Sequence, residues 1–313
     1  MSTADTDTRR TPGLVPVAET RRSAEHGPLA PETLVPAAPT SAPGAFWRLL
    51  SSELSLTFRR PRNLVMLGVL ALVPVAFGVV LRLMTGEDAD GPMAALLEAT
   101  AANSLMLTFA SLSILVPMLL PIVVSVVAGD SIAGEAATGT LRYLLAAPAG
   151  RGRLLAVKYL NAALFGLAAT LVVTLTALAV GMLLFPVGPV TLLSGSTISV
   201  ADGLLRVAVA VGYVAAGMAA LAAVGVAIST MTEMPIGAIA TTFVLIVVVT
   251  VLRAVPQLDA VQPFLLPSHW GGFDAALRSP VGDMSGGLLA FAAYIGLFYS
   301  IAWARFSGKD ITS

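Results

Sequence analysis

Six apolar stretches dominate the hydrophobic pattern of this chain, at 64–83, 105–128, 159–185, 204–228, 235–252 and 288–304. Each is close to the roughly 20 residues that cross about 30 Å of hydrocarbon at 1.5 Å per residue. Their interiors are nearly free of charge. Arg82 and Arg206 fall at the ends, where a long side chain reaches toward headgroups. A charge at a helix centre costs about 2.5–3.5 kcal/mol on insertion scales, so this exclusion marks membrane spans. Ahead of the first span, FWRLLSSELSLTF sets Phe46, Leu50, Leu54 and Phe58 four apart with Trp47 beside them, and Arg48, Ser51, Ser52 and Ser55 on other faces. That spacing predicts an amphipathic helix over 45–62 lying in the membrane interface. The alternative is a cytosolic extension of the first span. Residues 1–44, with Pro12, Pro16, Pro28, Pro31, Pro36, Pro39 and Pro43 amid Thr, Ala and mixed charges, read as a disordered tail. Nothing before Phe46 has the basic start and apolar run of a signal peptide, so this tail is expected in the cytosol. Residues 307–313 read as a second, short cytosolic tail. The predicted fold class is an all-α membrane protein with six transmembrane helices in 63–306.

Composition agrees with the pattern. Of 313 residues 57% are hydrophobic and only 12% charged, about half the charge that covers a soluble domain. Eighteen basic residues balance eighteen acidic ones, and zero net charge excludes a nucleic-acid binder as the main role. The absence of cysteine excludes disulfides, thiolate metal sites and a cysteine nucleophile. Arginine replaces lysine nearly everywhere, leaving only Lys158 and Lys309; with abundant Ala, Gly and Val this points to a GC-rich bacterial genome, hence a bacterial cytoplasmic membrane.

Orientation follows from the basic residues near span ends. On the N-terminal side lie Arg48, Arg59, Arg60, Arg62, Arg142, Arg151, Arg153, Lys158, Arg305 and Lys309, against Arg82, Arg206, Arg253 and Arg278 opposite. Ten against four predicts that both termini are cytosolic. The long outer connection 253–287 contains LLPSHWGGF, and its prolines, Trp270 and paired glycines predict a folded cap or short re-entrant segment, with an ordinary mobile loop as the alternative.

The longest polar stretch on the predicted cytosolic side is GDSIAGEAATGTLRYLLAAPAGRGRLLAVK, between the second and third spans. Asp130 or Ser131 is suited to cap a helix start, 139–145 reads as a short helix with Leu141, Leu144 and Leu145 as its apolar side, and Pro148 and Gly150 make a turn. Such an elbow, with acidic and basic residues at fixed offsets, suits docking of a second protein. Basic residues around a plain connecting loop are the alternative.

The same residues resemble the signature loop of type-2 ABC transporter permeases: Asp130, Glu135, Gly139, Thr140, Leu141, Leu144, Leu145, Pro148, Arg151, Leu154, Leu155 and Lys158. The interfacial helix, the six-span plan and the long outer loop before the last span are also similar to that family. The resemblance implies a permease subunit paired with a second copy in the bilayer, each docked to a separate ATPase that carries ATP and Mg. It implies a coupling role for Asp130, Glu135, Thr140, Leu141, Arg142, Leu144 and Leu145, with Arg151, Arg153 and Lys158 as supports. The cargo expected is an exported hydrophobic or amphipathic compound; the competing function is an ATP-independent channel or scaffold.

No catalytic or cofactor site is expected in the chain itself. A phosphate-cradling G-x-x-x-x-G-K-[ST] loop is excluded, since the only Gly-Lys pair, Gly308-Lys309, is followed by Asp310. His26 and His269 are the only histidines and cannot form His-Glu-x-x-His. Asp88-x-Asp90 resembles a sugar-transferase metal pair but falls in an outer loop, and Met231 and Met234 suit packing better than copper. Ser104, Thr108 and Ser111 share one helical face of the second span. They are placed to line a path for an amphipathic substrate, or else to bond back to their own helix.

Overall fold

A computed structural model describes residues 42–84, 101, 103–140, 150–191, 197–278 and 281–308. The helices are α1 Ala42–Arg59, α2 Pro61–Met84, α3 Ser104–Leu115, α4 Leu119–Ala137, α5 Arg151–Leu184, α6 Val200–Met231, α7 Pro235–Arg253, the short α8 Leu266–His269 and α9 Ser285–Ser307. A two-stranded antiparallel hairpin, β1 Val190–Thr191 and β2 Thr197–Ile198, joins α5 to α6. The six helices α2, α4, α5, α6, α7 and α9 are long and apolar enough to cross a membrane. The chain is therefore all-α, as the hydrophobic pattern predicts.

Several boundaries differ from the prediction. The second span is two helices, because Pro117 and Pro121 remove two amide donors and their rings crowd the preceding turn; residues 116–118 form a turn between α3 and α4. α5 and α6 extend to 34 and 32 residues, beyond the apolar core of each. Asp130 and Ser131 do not cap a helix start. They lie inside α4, which runs on to Ala137 and ends where Gly139 takes a φ of 69°. α1 starts at Ala42 and stops at Arg59, since Pro61 opens α2 as its first residue. Residues 1–41 of the predicted tail and 309–313 lie outside the described residues.

Contacts sort the helix ends into two groups. The ends of α4 and α6 meet each other and the starts of α2, α5 and α7 through Asp130, Lys158, Ser229 and Ile239, while Arg151 of α5 reaches the end of α9 at Ser307. At the other end Asn103, before α3, bonds the carbonyls of Gly188 and Pro189, and Arg206 and Arg253 bond the 256–278 segment. The helices thus alternate in direction as six crossings require. α6 is the most enclosed of the six long helices, whereas α7 and α9 present broad apolar faces outward. Small residues recur every fourth position of α6 at Ala208, Gly212, Ala216 and Ala220; Ala208 and Gly212 are exposed, while Ala220 is buried.

Residues 256–278 form a folded cap of short helical turns, so over these residues the folded alternative holds for the 253–287 connection. Four side chains from the spans donate to its backbone: Arg206 to the Ala276 and Arg278 carbonyls at 2.8 and 2.7 Å, Tyr213 to His269 at 2.8 Å, Arg253 to Pro267 at 2.6 Å and Tyr294 to Phe264 at 2.7 Å. The segment's own hydrogen bonds are those of short turns, and carbonyls left over at the turn ends need such donors where water is excluded. Arg206 is thus an anchor of the cap and does not reach toward headgroups. Tyr213 fits because Gly287 has no side chain: a Cβ there would lie 1.8 Å from the phenolic oxygen. Within the cap, burial raises the Asp274 carboxyl above its ordinary range against the opposing charge of Arg278.

Candidate functional site

Lys158 lies in the second turn of α5 and is only 4% exposed. An ammonium so placed requires paired carboxylates. Its Nζ donates to Glu53 of α1 at 2.8 Å and to Glu135 of α4 at a shorter distance. Beside this triad, Asp130 accepts from Arg60 at 2.5 Å and from Arg62 at 2.7 Å. Three acids meet three bases, so the cluster is neutral as a whole and joins α1, α2, α4 and α5 by charge.

A polar strand of the same network runs through Thr57. Its hydroxyl accepts from Asn161 of α5 at 2.8 Å, and its carbonyl accepts from Asn63 of α2 at 2.8 Å. These groups surround a cavity of about 50 Å³. Three acceptor oxygens, Glu135 Oε2, Asn63 Oδ1 and Asn161 Oδ1, belong to residues of its wall and have no protein donor. The volume and polarity suit ordered water.

Close packing fixes the α4 side of the site. A Cβ on Gly225 of α6 would come within 2.7 Å of the Ala128 side chain, so glycine lets the two helices touch. One turn on, the buried Ser229 hydroxyl donates to the Gly129 carbonyl at 2.7 Å and accepts from Ile132 and Ala133 at 3.1 and 2.9 Å. It thus inserts between a carbonyl and an amide that an uninterrupted helix would pair with each other. Ser229→Ala is expected to cost only about 1 kcal/mol, because Gly129 and Ala133 can close on one another. Ser229→Val puts carbon against both groups and pushes the helices apart, at about 1–3 kcal/mol. Thermal unfolding in detergent should rank wild type above Ala above Val; an Ala variant as damaged as Val would contradict this role for the hydroxyl.

The residues expected from the sequence are only partly brought together. Glu135 and Lys158 pair, and Asp130 joins them through the cavity wall. Thr140 donates to the Glu135 carbonyl at 3.2 Å and closes the end of α4. Arg151 turns away and donates to the Ser307 carbonyl of α9 at 2.7 Å, and Arg153 is half-buried in the same turn of α5. Leu141, Arg142, Leu144 and Leu145 lie outside the described residues. Ser104, Thr108 and Ser111 sit far from this cluster, buried on α3, which packs against α5. The hydroxyls of Thr108 and Ser111 have no partner, so they do not bond back to their helix as Ser125 does to Pro121.

Sequence reading missed Glu53, Thr57, Asn63 and Asn161. Glu53 carried a signal: it stands three residues after Leu50 and one before Leu54, on the apolar side of an amphipathic helix, where a carboxylate needs a cation. Asn161, three residues after Lys158, shares its helical face.

Six helices fit to cross a membrane, three of them (α2, α4 and α5) tied at one end by a neutral ion network, define an all-α, multi-span membrane protein. The chain belongs to DUF2705, a family described as proteins of unknown function, which matches residues 79–312. No curated protein matches it.

Proposed function

We propose that this chain is the membrane subunit of an ATP-driven transporter, a permease that exports a hydrophobic or amphipathic compound and is powered by a separate ATPase. The observation that carries the reading is the Lys158 network. It clamps the last turns of α4 to the first turns of α5, the two helices that flank the 138–150 connection, and ties both to α1 and α2. A partner pushing on that connection would meet a braced base and displace the helices together. Basic residues support placing this end in the cytosol of a bacterial membrane: Arg48, Arg59, Arg60, Arg62, Arg151, Arg153, Lys158 and Arg305 lie here, against Arg82, Arg206, Arg253 and Arg278 opposite. ATP and Mg would reside on the partner. The outward apolar face of α7 suits a second copy of the chain.

Leu141 offers the cleanest test, since Glu135 also holds Lys158 and its loss would disturb the fold. Leu141→Asp is expected to weaken co-purification of the cognate ATPase by about tenfold or more, because the contact would bury a charge. Transport in vesicles should fall in parallel. Vesicle transport that proceeds without ATP or partner, or retention that is blind to Leu141→Asp, would favour a channel or scaffold instead.

A further inference from the structure

The neutral sum of the Lys158 cluster divides unevenly between its two halves. The inner half, Lys158 between Glu53 and Glu135, has one negative charge in excess. The outer half, Arg60 and Arg62 on Asp130, has one positive charge in excess, and it is open: the arginine side chains are 54% and 45% exposed, while Asp130 is only 13% exposed. Arg59, exposed at the end of α1 and next to Arg60 in sequence, adds a second positive charge and has no partner among the described residues.

Asp130 also arranges the pair. Its Oδ2 accepts from both Arg60 and Arg62, so the two guanidinium groups are held side by side, and each uses one of its five N–H donors there. Neither makes another bond among the described residues, which leaves several exposed donors in a fixed arrangement. Guanidinium forks match the oxygens of a phosphate, and side chains already ordered by the fold lose little freedom on capturing one. The arginines also stand where the first span begins. The apolar stretch 64–83 starts two residues beyond Arg62, and Val65, Val69 and Leu72 follow it at intervals of three and four, on the same side of α2 and exposed. Hydrocarbon covers such a face in a bilayer, which places headgroup phosphates at the level of the arginines.

We infer that Arg59, Arg60 and Arg62 bind the phosphate of an anionic membrane lipid whose acyl chain lies along Val65, Val69 and Leu72. A free phosphate ion offers the same oxygens but nothing to cover that apolar face. The site does not depend on the transporter reading and stands or falls separately from it.

Native mass spectrometry of the full chain in detergent, titrated with phosphatidylglycerol or with phosphatidylcholine of the same acyl chains, counts bound lipid directly. Phosphatidylglycerol is expected to bind about tenfold or more tightly than phosphatidylcholine, whose choline sets a positive charge against the arginines. Arg59→Gln, which breaks no bond in the fold, should weaken phosphatidylglycerol about fivefold, the effect of one arginine near an anionic lipid, and Arg59→Lys should keep most of the affinity. Arg59→Gln with Arg62→Gln should erase the preference while elution and helicity stay unchanged. Arg48→Gln removes the same charge from the same helix about 16 Å away and should leave the affinity as it was. Inorganic phosphate in equal amount should not displace the lipid; displacement would identify a free anion as the ligand and overturn the lipid assignment. Equal affinity for the two lipids, or an Arg48→Gln variant as weak as Arg59→Gln, would show a diffuse field of charge and overturn the site.

Discussion

Replacing Lys158 by alanine is expected to lower the unfolding free energy by about 3–5 kcal/mol, the range for removing one partner of a buried ion pair. Glu53 and Glu135 would then face each other across the space the ammonium filled, only 14% and 20% exposed. Glu53→Gln alone should cost less, because Glu135 still holds the lysine. The triple variant Lys158→Met, Glu53→Gln, Glu135→Gln should recover much of the loss, since no unpaired charge remains. Thermal or denaturant unfolding in detergent reads all three, and a double-mutant cycle over Lys158 and Glu135 isolates their coupling. A Lys158→Ala variant no weaker than the exposed Arg48→Ala would show that the pairs contribute nothing.

How far this site was legible in the sequence follows from separation along the chain. The spans declare themselves locally, because each must exclude charge over about 20 consecutive residues. Glu53 and Lys158 are 105 residues apart, and nothing in either neighbourhood names the other. Only the placement of α1 along α5 joins them, helped by Phe58 packing on Phe165 with ring centres 5.4 Å apart. Glu135 and Lys158 were singled out through a family resemblance, and the ion pair now gives them a physical reason to matter together. Arg206 shows the opposite case. At a span end the generic expectation for arginine is a headgroup, and its actual partners at Ala276 and Arg278 lie 70 and 72 residues downstream. The cap was half legible: Trp270 and the prolines announced order, but the four donors that fasten it come from the spans and carry no local signature.

Those donors make Arg206 the second position of large effect. Arg206→Met keeps the packing length but leaves the Ala276 and Arg278 carbonyls without this donor, at a cost of about 2–4 kcal/mol for one buried and one part-buried acceptor. Much of that loss should appear as opening of the cap, because Arg206 joins α6 to the last turn of that segment. The absence of cysteine provides a clean reporter: Ala275→Cys, at a position 9% exposed in the cap, should react slowly with a maleimide in an otherwise unchanged chain. Adding Arg206→Met should raise that rate about tenfold or more, tenfold corresponding to roughly 1.4 kcal/mol of opening free energy. Asp202→Asn separates the two partnerships of the guanidinium. It removes an ion pair whose carboxylate is 42% exposed and one helical turn away, so the rate should scarcely change. If Asp202→Asn frees the cap as much as Arg206→Met does, the ion pair holds it and the carbonyl contacts do not.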